Sequence, residues 1–202
     1  MKIALLPWPR SGSTFVLKIL ECEFKLTSLG EPLHTYPKLD FVAPANSIMK
    51  IMPHQINRID LTQFDYIMLL DRISLPNAIC SYIVAEKNNA WQNSTVFKFI
   101  ADMKRVKQLV NDYIRWRKNI NSIKHNNISY YQYENMILNN AWRARLTIDK
   151  KQDIGIVCPF NEPKPSKFDY QKHCLNYHEI DNYCHQMIKD QLIPEIDSVI
   201  LT

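Results

Sequence analysis

The opening stretch constrains the fold more than any other. Ile3 to Leu6 is an unbroken apolar run, and Pro7 and Pro9 end it early. Lys2 to Leu6 therefore reads as a short buried strand. A turn holding one glycine, Gly12, follows at once. Phe15, Val16, Ile19 and Leu20 then fall on one face of a helix over Ser13 to Glu21. Ser11 and Ser13 each offer a hydroxyl that can cap that helix. Strand, tight turn and helix in succession is the unit from which α/β folds with parallel sheets are built.

The alternation continues along the chain. Asn46 to Met52, closed by Pro53, reads as a second strand, and Phe64 to Leu70 as a third. Leu75 to Lys87 reads as a helix with Pro76 near its start, where proline is tolerated. Ser94 to Asn119 is the longest predicted helix, with Val96, Ile100, Met103, Val106, Val110, Tyr113 and Ile114 as its apolar stripe. Asn127 to Tyr133 reads as a fourth strand. Arg145 to Cys158 reads equally as a short strand or a loop, and Pro159 to Ser166 as a proline-rich loop. A last helix is expected from His178 to Leu192, with Ile180, Cys184, Met187 and Ile188 facing the core. The expected fold is a three-layer α/β sandwich with a mostly parallel central sheet, in one domain over residues 1–202.

Composition removes several classes. An apolar fraction of 46% excludes a disordered chain, and three glycines exclude a long glycine-rich loop. No stretch approaches the roughly 20 apolar residues of a membrane span, and the N-terminal run is too short for a signal peptide. Five cysteines, an odd number without a C-x-x-C pair, argue against a disulfide framework and for a reducing, cytoplasmic setting. The formal charge of +5 suits an anionic ligand without choosing which one. The basic residues of the long helix, Lys104, Arg105 and Lys107 among them, read as a solvated face, and no nucleic-acid partner is expected. His173, Cys174, His178, Cys184, His185 and Cys158 have zinc-ligand chemistry but lack paired spacing, so no metal site is expected.

The turn after the first strand carries the chemistry. A helix N-terminus offers unpaired N–H groups and the positive end of its dipole. Gly12 lets backbone approach a phosphate, Ser11, Ser13 and Thr14 add hydroxyls, and Arg10 adds a planar cation. The lysine of the usual triphosphate loop, G-x-x-x-x-G-K-[ST], is missing. The plain alternative is a serine-rich cap that binds nothing.

At these residues a family resemblance appears. Pro9 to Phe15, P-R-S-G-S-T-F, resembles the 5′-phosphosulfate loop of sulfotransferases that use 3′-phosphoadenosine 5′-phosphosulfate. Arginine at this point is the form of the carbohydrate and bacterial members. That family's 3′-phosphate motif is a strand ending in arginine, then a helix bearing serine. Leu69-Leu70-Asp71-Arg72 and Ser81-Tyr82 match it, although Asp71 and Pro76 depart from its usual arrangement. Tyr133-Glu134 resembles a structural Tyr-Glu pair at a later strand end, and Lys164 to Lys167 resembles, more distantly, a basic loop closing over the nucleotide. The resemblance covers Lys2 to Glu134. It implies a P-loop nucleotide-hydrolase-like topology and sulfuryl transfer to a hydroxyl or amine acceptor, with 3′,5′-adenosine bisphosphate released. It also implies that Arg10, Ser11, Gly12, Ser13, Thr14 and Phe15 hold the 5′ side of the donor, and Arg72 and Ser81 its 3′-phosphate. A surface ion pair for Arg72 and a solvated helix position for Ser81 are the plain alternatives.

Transfer to a hydroxyl needs a base. Glu31, in a turn shaped by Gly30 and Pro32, is the first candidate and His34 the second. Arg10 completes the expected catalytic set. Lys50 stands inside the apolar run I-M-K-I-M, where a charge must be paired or reach solvent. The expected acceptor is a hydroxyl-bearing small molecule or glycan. A nucleotide or small-molecule kinase and a catalytically inactive nucleotide-binding domain are the competing functions.

Overall fold

The computed structural model describes residues 1–35, 41–89, 98–138 and 169–190. The sequence segments Arg145 to Cys158, Pro159 to Ser166 and Lys164 to Lys167 lie outside the described residues. The chain divides into two compact units, residues 1–73 with 124–167, and residues 74–123 with 168–202.

The first unit holds a five-stranded sheet in which every pairing is parallel. Its strands are β1 (Lys2–Pro7), β2 (Thr27–Ser28), β3 (Ser47–Lys50), β4 (Tyr66–Asp71) and β5 (Ile128–Gln132), in the order β2-β3-β1-β4-β5. Ile3 to Leu6 on β1 are completely buried, as a strand with neighbours on both sides and both faces covered must be. Each such Leu or Ile contributes roughly 1.5–3 kcal/mol of burial. Helix α1 (Ser13–Phe24) lays Val16, Leu17, Ile19 and Leu20 on one sheet face, against Ile3 and Leu5 of β1, Ile48 of β3 and Met68 and Leu70 of β4. Helix α2 (Pro32–Thr35) is a single turn after β2.

The order of strands creates a switch point. From β1 the chain goes through α1 to β2 on one side of the sheet; from β4 it leads to β5 on the other. Neighbouring strands whose connections diverge open a crevice at their carboxyl ends, where ligands of open α/β sheets bind. Pro7 and Asp71 end the two strands that flank this point.

The second unit is helical. Helix α3 (Leu75–Lys87) has the bounds expected from the sequence; the Ser74 hydroxyl accepts from the Asn77 N–H at 3.3 Å, and Pro76 sits in the first turn. Helix α4 (Met103–Asn121) starts later than the sequence predicts. Asp102 caps it, accepting from the Lys104 N–H at 2.9 Å. The residues before it are extended because Phe99 pairs in parallel with Cys174: Phe99 N–H donates to the His173 carbonyl at 3.0 Å and Leu175 N–H to the Phe99 carbonyl at 2.9 Å. Ile100, counted in the predicted stripe, is 62% exposed as a result. Across the first unit, helix α5 (Tyr133–Leu138) follows β5 and takes Tyr133 out of the predicted strand. Helices α6 (Tyr170–His173) and α7 (Tyr177–Asp190) complete the second unit. On α7, Ile180 and Cys184 are buried while Met187 and Ile188 are only half-buried.

Candidate functional site

The site is built on the strand ends of the first unit. Trp8 N–H donates to the Leu70 carbonyl at 2.9 Å, which carries the loop after β1 alongside β4 before it turns. Ser11 N–H then folds back on the Trp8 carbonyl at 3.2 Å. Arg10 (φ 67°) and Gly12 (φ 76°) are both left-handed and flank Ser11. Glycine adopts that conformation freely; for Arg10, which is half-buried, it costs roughly 1–2 kcal/mol. Strain of this kind collects where a loop is shaped for a ligand.

The cap of α1 differs from the expected one. Gly12, not Ser11 or Ser13, is the N-cap, and no side chain caps the helix. The Gly12 carbonyl accepts from Phe15 and Val16 N–H at 3.0 and 3.1 Å. Among the described residues nothing accepts from the N–H groups of Gly12, Ser13 and Thr14. The Ser11 hydroxyl is fully buried and also lacks a hydrogen-bond partner among them. A buried hydroxyl left so costs about 1–3 kcal/mol. Three such N–H groups thus gather at one helix N-terminus, with the buried Ser11 hydroxyl next to them in the chain, and the positive end of the helix dipole favours an anion there.

Lys50 and Glu31 stand beside this loop. Lys50 ends β3, which lies between β2 and β1 in the sheet. It is 9% exposed, and its Nζ lies 2.5 Å from Glu31 Oε1 and 3.5 Å from Thr14 Oγ1. Its backbone N–H donates to the Gly30 carbonyl at 2.7 Å, which fixes the turn before Glu31. The ammonium thus ties the candidate base to the first turn of α1. His34 is not drawn in: its side chain is exposed on α2, and its N–H serves the Glu31 carbonyl at 3.1 Å.

The turn after β4 supplies the second cation. Asp71 is buried; its Oδ1 accepts from the Arg72 N–H at 2.8 Å and its Oδ2 from the Tyr130 hydroxyl at 3.1 Å. Arg72 pairs instead with Glu134, Nε to Oε1 at 2.7 Å, while Glu134 Oε2 accepts from the Ile73 N–H at 3.0 Å. Tyr133 lies over the loop. A Cβ placed on Gly12 would meet its Cε2 at 2.2 Å. Its ring stands edge-on to Phe15 with centroids 6.5 Å apart, and the Arg72 guanidinium lies 5.9 Å from its centroid. Burial pushes the Tyr133 phenol up from its ordinary range. Phe15, a candidate for the donor's 5′ side, packs on Tyr133 and the core.

Ser81 belongs to the second unit. It is buried on α3 rather than solvated, six residues into the helix. Sequence reasoning gave Tyr133 and Glu134 only a structural part. Their position at the carboxyl end of a strand was the signal that they reach the site.

Three of the histidine and cysteine candidates for metal binding have partners of their own. His173 Nδ1 lies 2.8 Å from the Asp169 carbonyl, Cys174 Sγ donates to Asn176 Oδ1 at 3.4 Å, and His185 faces Asp181 at 3.5 Å. Burial pushes the Cys184 thiol up to about 12. Among the described residues no group of three His, Cys, Asp or Glu side chains is placed to hold a metal ion, and Cys158 lies outside them. No helix among the described residues is long and apolar enough to cross a membrane. Compared with known proteins, the chain matches no family model and no curated sequence.

Proposed function

We propose that this protein is a sulfotransferase that moves a sulfuryl group from 3′-phosphoadenosine 5′-phosphosulfate to a hydroxyl or amine acceptor by in-line displacement. The observation that carries the reading is a set of donors unmatched among the described residues, three backbone N–H groups and the buried Ser11 hydroxyl, at the switch point of a parallel sheet. The strand order with β1 at the centre goes with a P-loop nucleotide-hydrolase-like, three-layer topology. A cytoplasmic setting and a small-molecule or glycan acceptor belong to the same proposal.

In this reading the bound donor supplies an activated sulfuryl group whose bond to phosphate oxygen breaks as the acceptor oxygen bonds to sulfur. The N–H groups of Gly12, Ser13 and Thr14, with the Ser11 hydroxyl and Arg10, hold the 5′ phosphate oxygens and the charge left on them. Arg72 holds the 3′-phosphate. Glu31 takes the acceptor's proton, and Lys50 keeps that carboxylate beside the loop. The contribution is positioning and electrostatics, as in phosphoryl transfer.

The kinase alternative asks a strand-end aspartate to hold Mg²⁺ and a loop lysine to hold phosphate. Asp71 has both oxygens turned to protein donors, and the loop has no lysine. The inactive binding domain has one observation in its favour: Glu31 is already engaged by Lys50.

Calorimetry with 3′,5′-adenosine bisphosphate, without Mg²⁺, tests the reading. Binding is expected, and Arg10→Ala should weaken it about 10–100-fold, the loss of a charge-assisted phosphate contact. Absence of binding to the intact protein removes the proposal. Binding without transfer to any of a panel of hydroxyl acceptors selects the inactive domain.

A further inference from the structure

The loop after β1 and the turn after β4 meet at one dipeptide. Tyr133 and Glu134 open α5 directly after β5, two strands away from β1. Tyr133 lies against Gly12, in contact so close that no side chain fits between them. Glu134 spends its two oxygens on separate donors, Arg72 Nε and the Ile73 N–H, and so orients the turn after β4 together with its arginine. The Arg72 guanidinium in turn rests near the Tyr133 ring. The ion pair occupies Nε; among the described residues nothing accepts from the two terminal nitrogens, the pair suited to a phosphate.

We propose that Tyr133 and Glu134 are the positioning residues of this site. Tyr133 holds the loop after β1 in its open, donor-lined shape, and Glu134 aims Arg72, so that one nucleotide meets both phosphate-binding groups together. The proposal rests on the nucleotide reading above and adds to it the device that sets the two anchors. The mechanism is steric on one side and electrostatic on the other. Without the ring, the left-handed Gly12 loses the surface that opposes its relaxation. Without the carboxylate, Arg72 keeps its charge but loses its direction. Each residue therefore governs a different phosphate.

That difference is what a test reads. Affinities for adenosine 5′-monophosphate and 3′,5′-adenosine bisphosphate are measured by calorimetry, and their ratio reports the 3′-phosphate contact. Tyr133→Leu, which keeps apolar bulk without a flat ring, should weaken both nucleotides about tenfold and preserve the ratio, whereas Tyr133→Phe should match the wild type. Glu134→Gln, with one amide oxygen for two donors, should leave the monophosphate within about twofold and reduce the ratio about tenfold. A purely structural role would lower both affinities in step with stability and leave the ratio alone for every variant. Wild-type affinities in Tyr133→Leu and Glu134→Gln overturn the positioning proposal while the nucleotide reading stands. A wild-type protein that binds neither nucleotide overturns both.

Discussion

Gly12 shows how much a single position decides. Its φ of 76° favours glycine, and the Tyr133 ring occupies the space that any Cβ would need. Gly12→Ala should therefore destabilise the protein by about 1–3 kcal/mol, through backbone strain and overpacking together. In a Tyr133→Ala background the steric part disappears and only the φ penalty remains. A double-mutant cycle by urea unfolding should show a coupling of about 0.5–2 kcal/mol, and purely additive losses would mean the ring does not rest on the loop. Lys50 makes the opposite case. Glu31 is more than a third exposed, so removing the ammonium with Lys50→Met should change stability by only about 0–1 kcal/mol. The same change should weaken binding of 3′,5′-adenosine bisphosphate far more than it lowers the unfolding midpoint. Equal small effects on both would place Lys50 outside the site.

At the scale of elements, local chemistry and long-range pairing compete. Leu75 to Lys87 is legible as a helix because its cap, Ser74, and its first-turn proline lie next to it in the chain. The start of α4 is not, because the residues before it are held extended by Cys174, 75 positions beyond Phe99 in sequence, and by the Asn176 side chain, which accepts from Ala101 N–H at 2.9 Å and donates to the Ala101 carbonyl at 3.0 Å. Helical spacing reached back to Ile100 only by coincidence of residue type. Asp102→Ala should cost about 1 kcal/mol by urea unfolding, the loss of an N-cap, and no effect would put the helix start elsewhere. Strand β2 was missed for a simpler reason: two residues have no period.

For the whole molecule, buried thiols make stability depend on alkaline pH. Cys184 on α7 is raised from an ordinary 9.0 to about 12, chiefly by burial. Cys80 on α3 is raised too, first because its thiol donates to Cys174, then by burial. A thiol raised in the folded state holds its proton more tightly there than in the unfolded chain. Its contribution is whole below about 9 and is lost as pH climbs toward 12. Urea midpoints should therefore fall as pH rises above the ordinary thiol range. Cys184→Ala should reduce the slope of that fall, and an unchanged slope would deny Cys184 a part in it.

Sequence alone determined the parts that depend on neighbours in the chain. The buried run Ile3 to Leu6, the turn with Gly12 and the face of α1 follow from periodicity and turn chemistry, which act over a few residues. The donor-rich loop was legible for the same reason. Tertiary structure alone decided which side chains this loop meets. It paired Lys50 with Glu31, turned Asp71 inward, and gave Arg72 to Glu134, 62 positions away. It also left His34 on the outside and set Tyr133 over Gly12. Such contacts are fixed by strand order and register, and a register is chosen by the whole sheet burying its faces at once rather than by any segment of sequence.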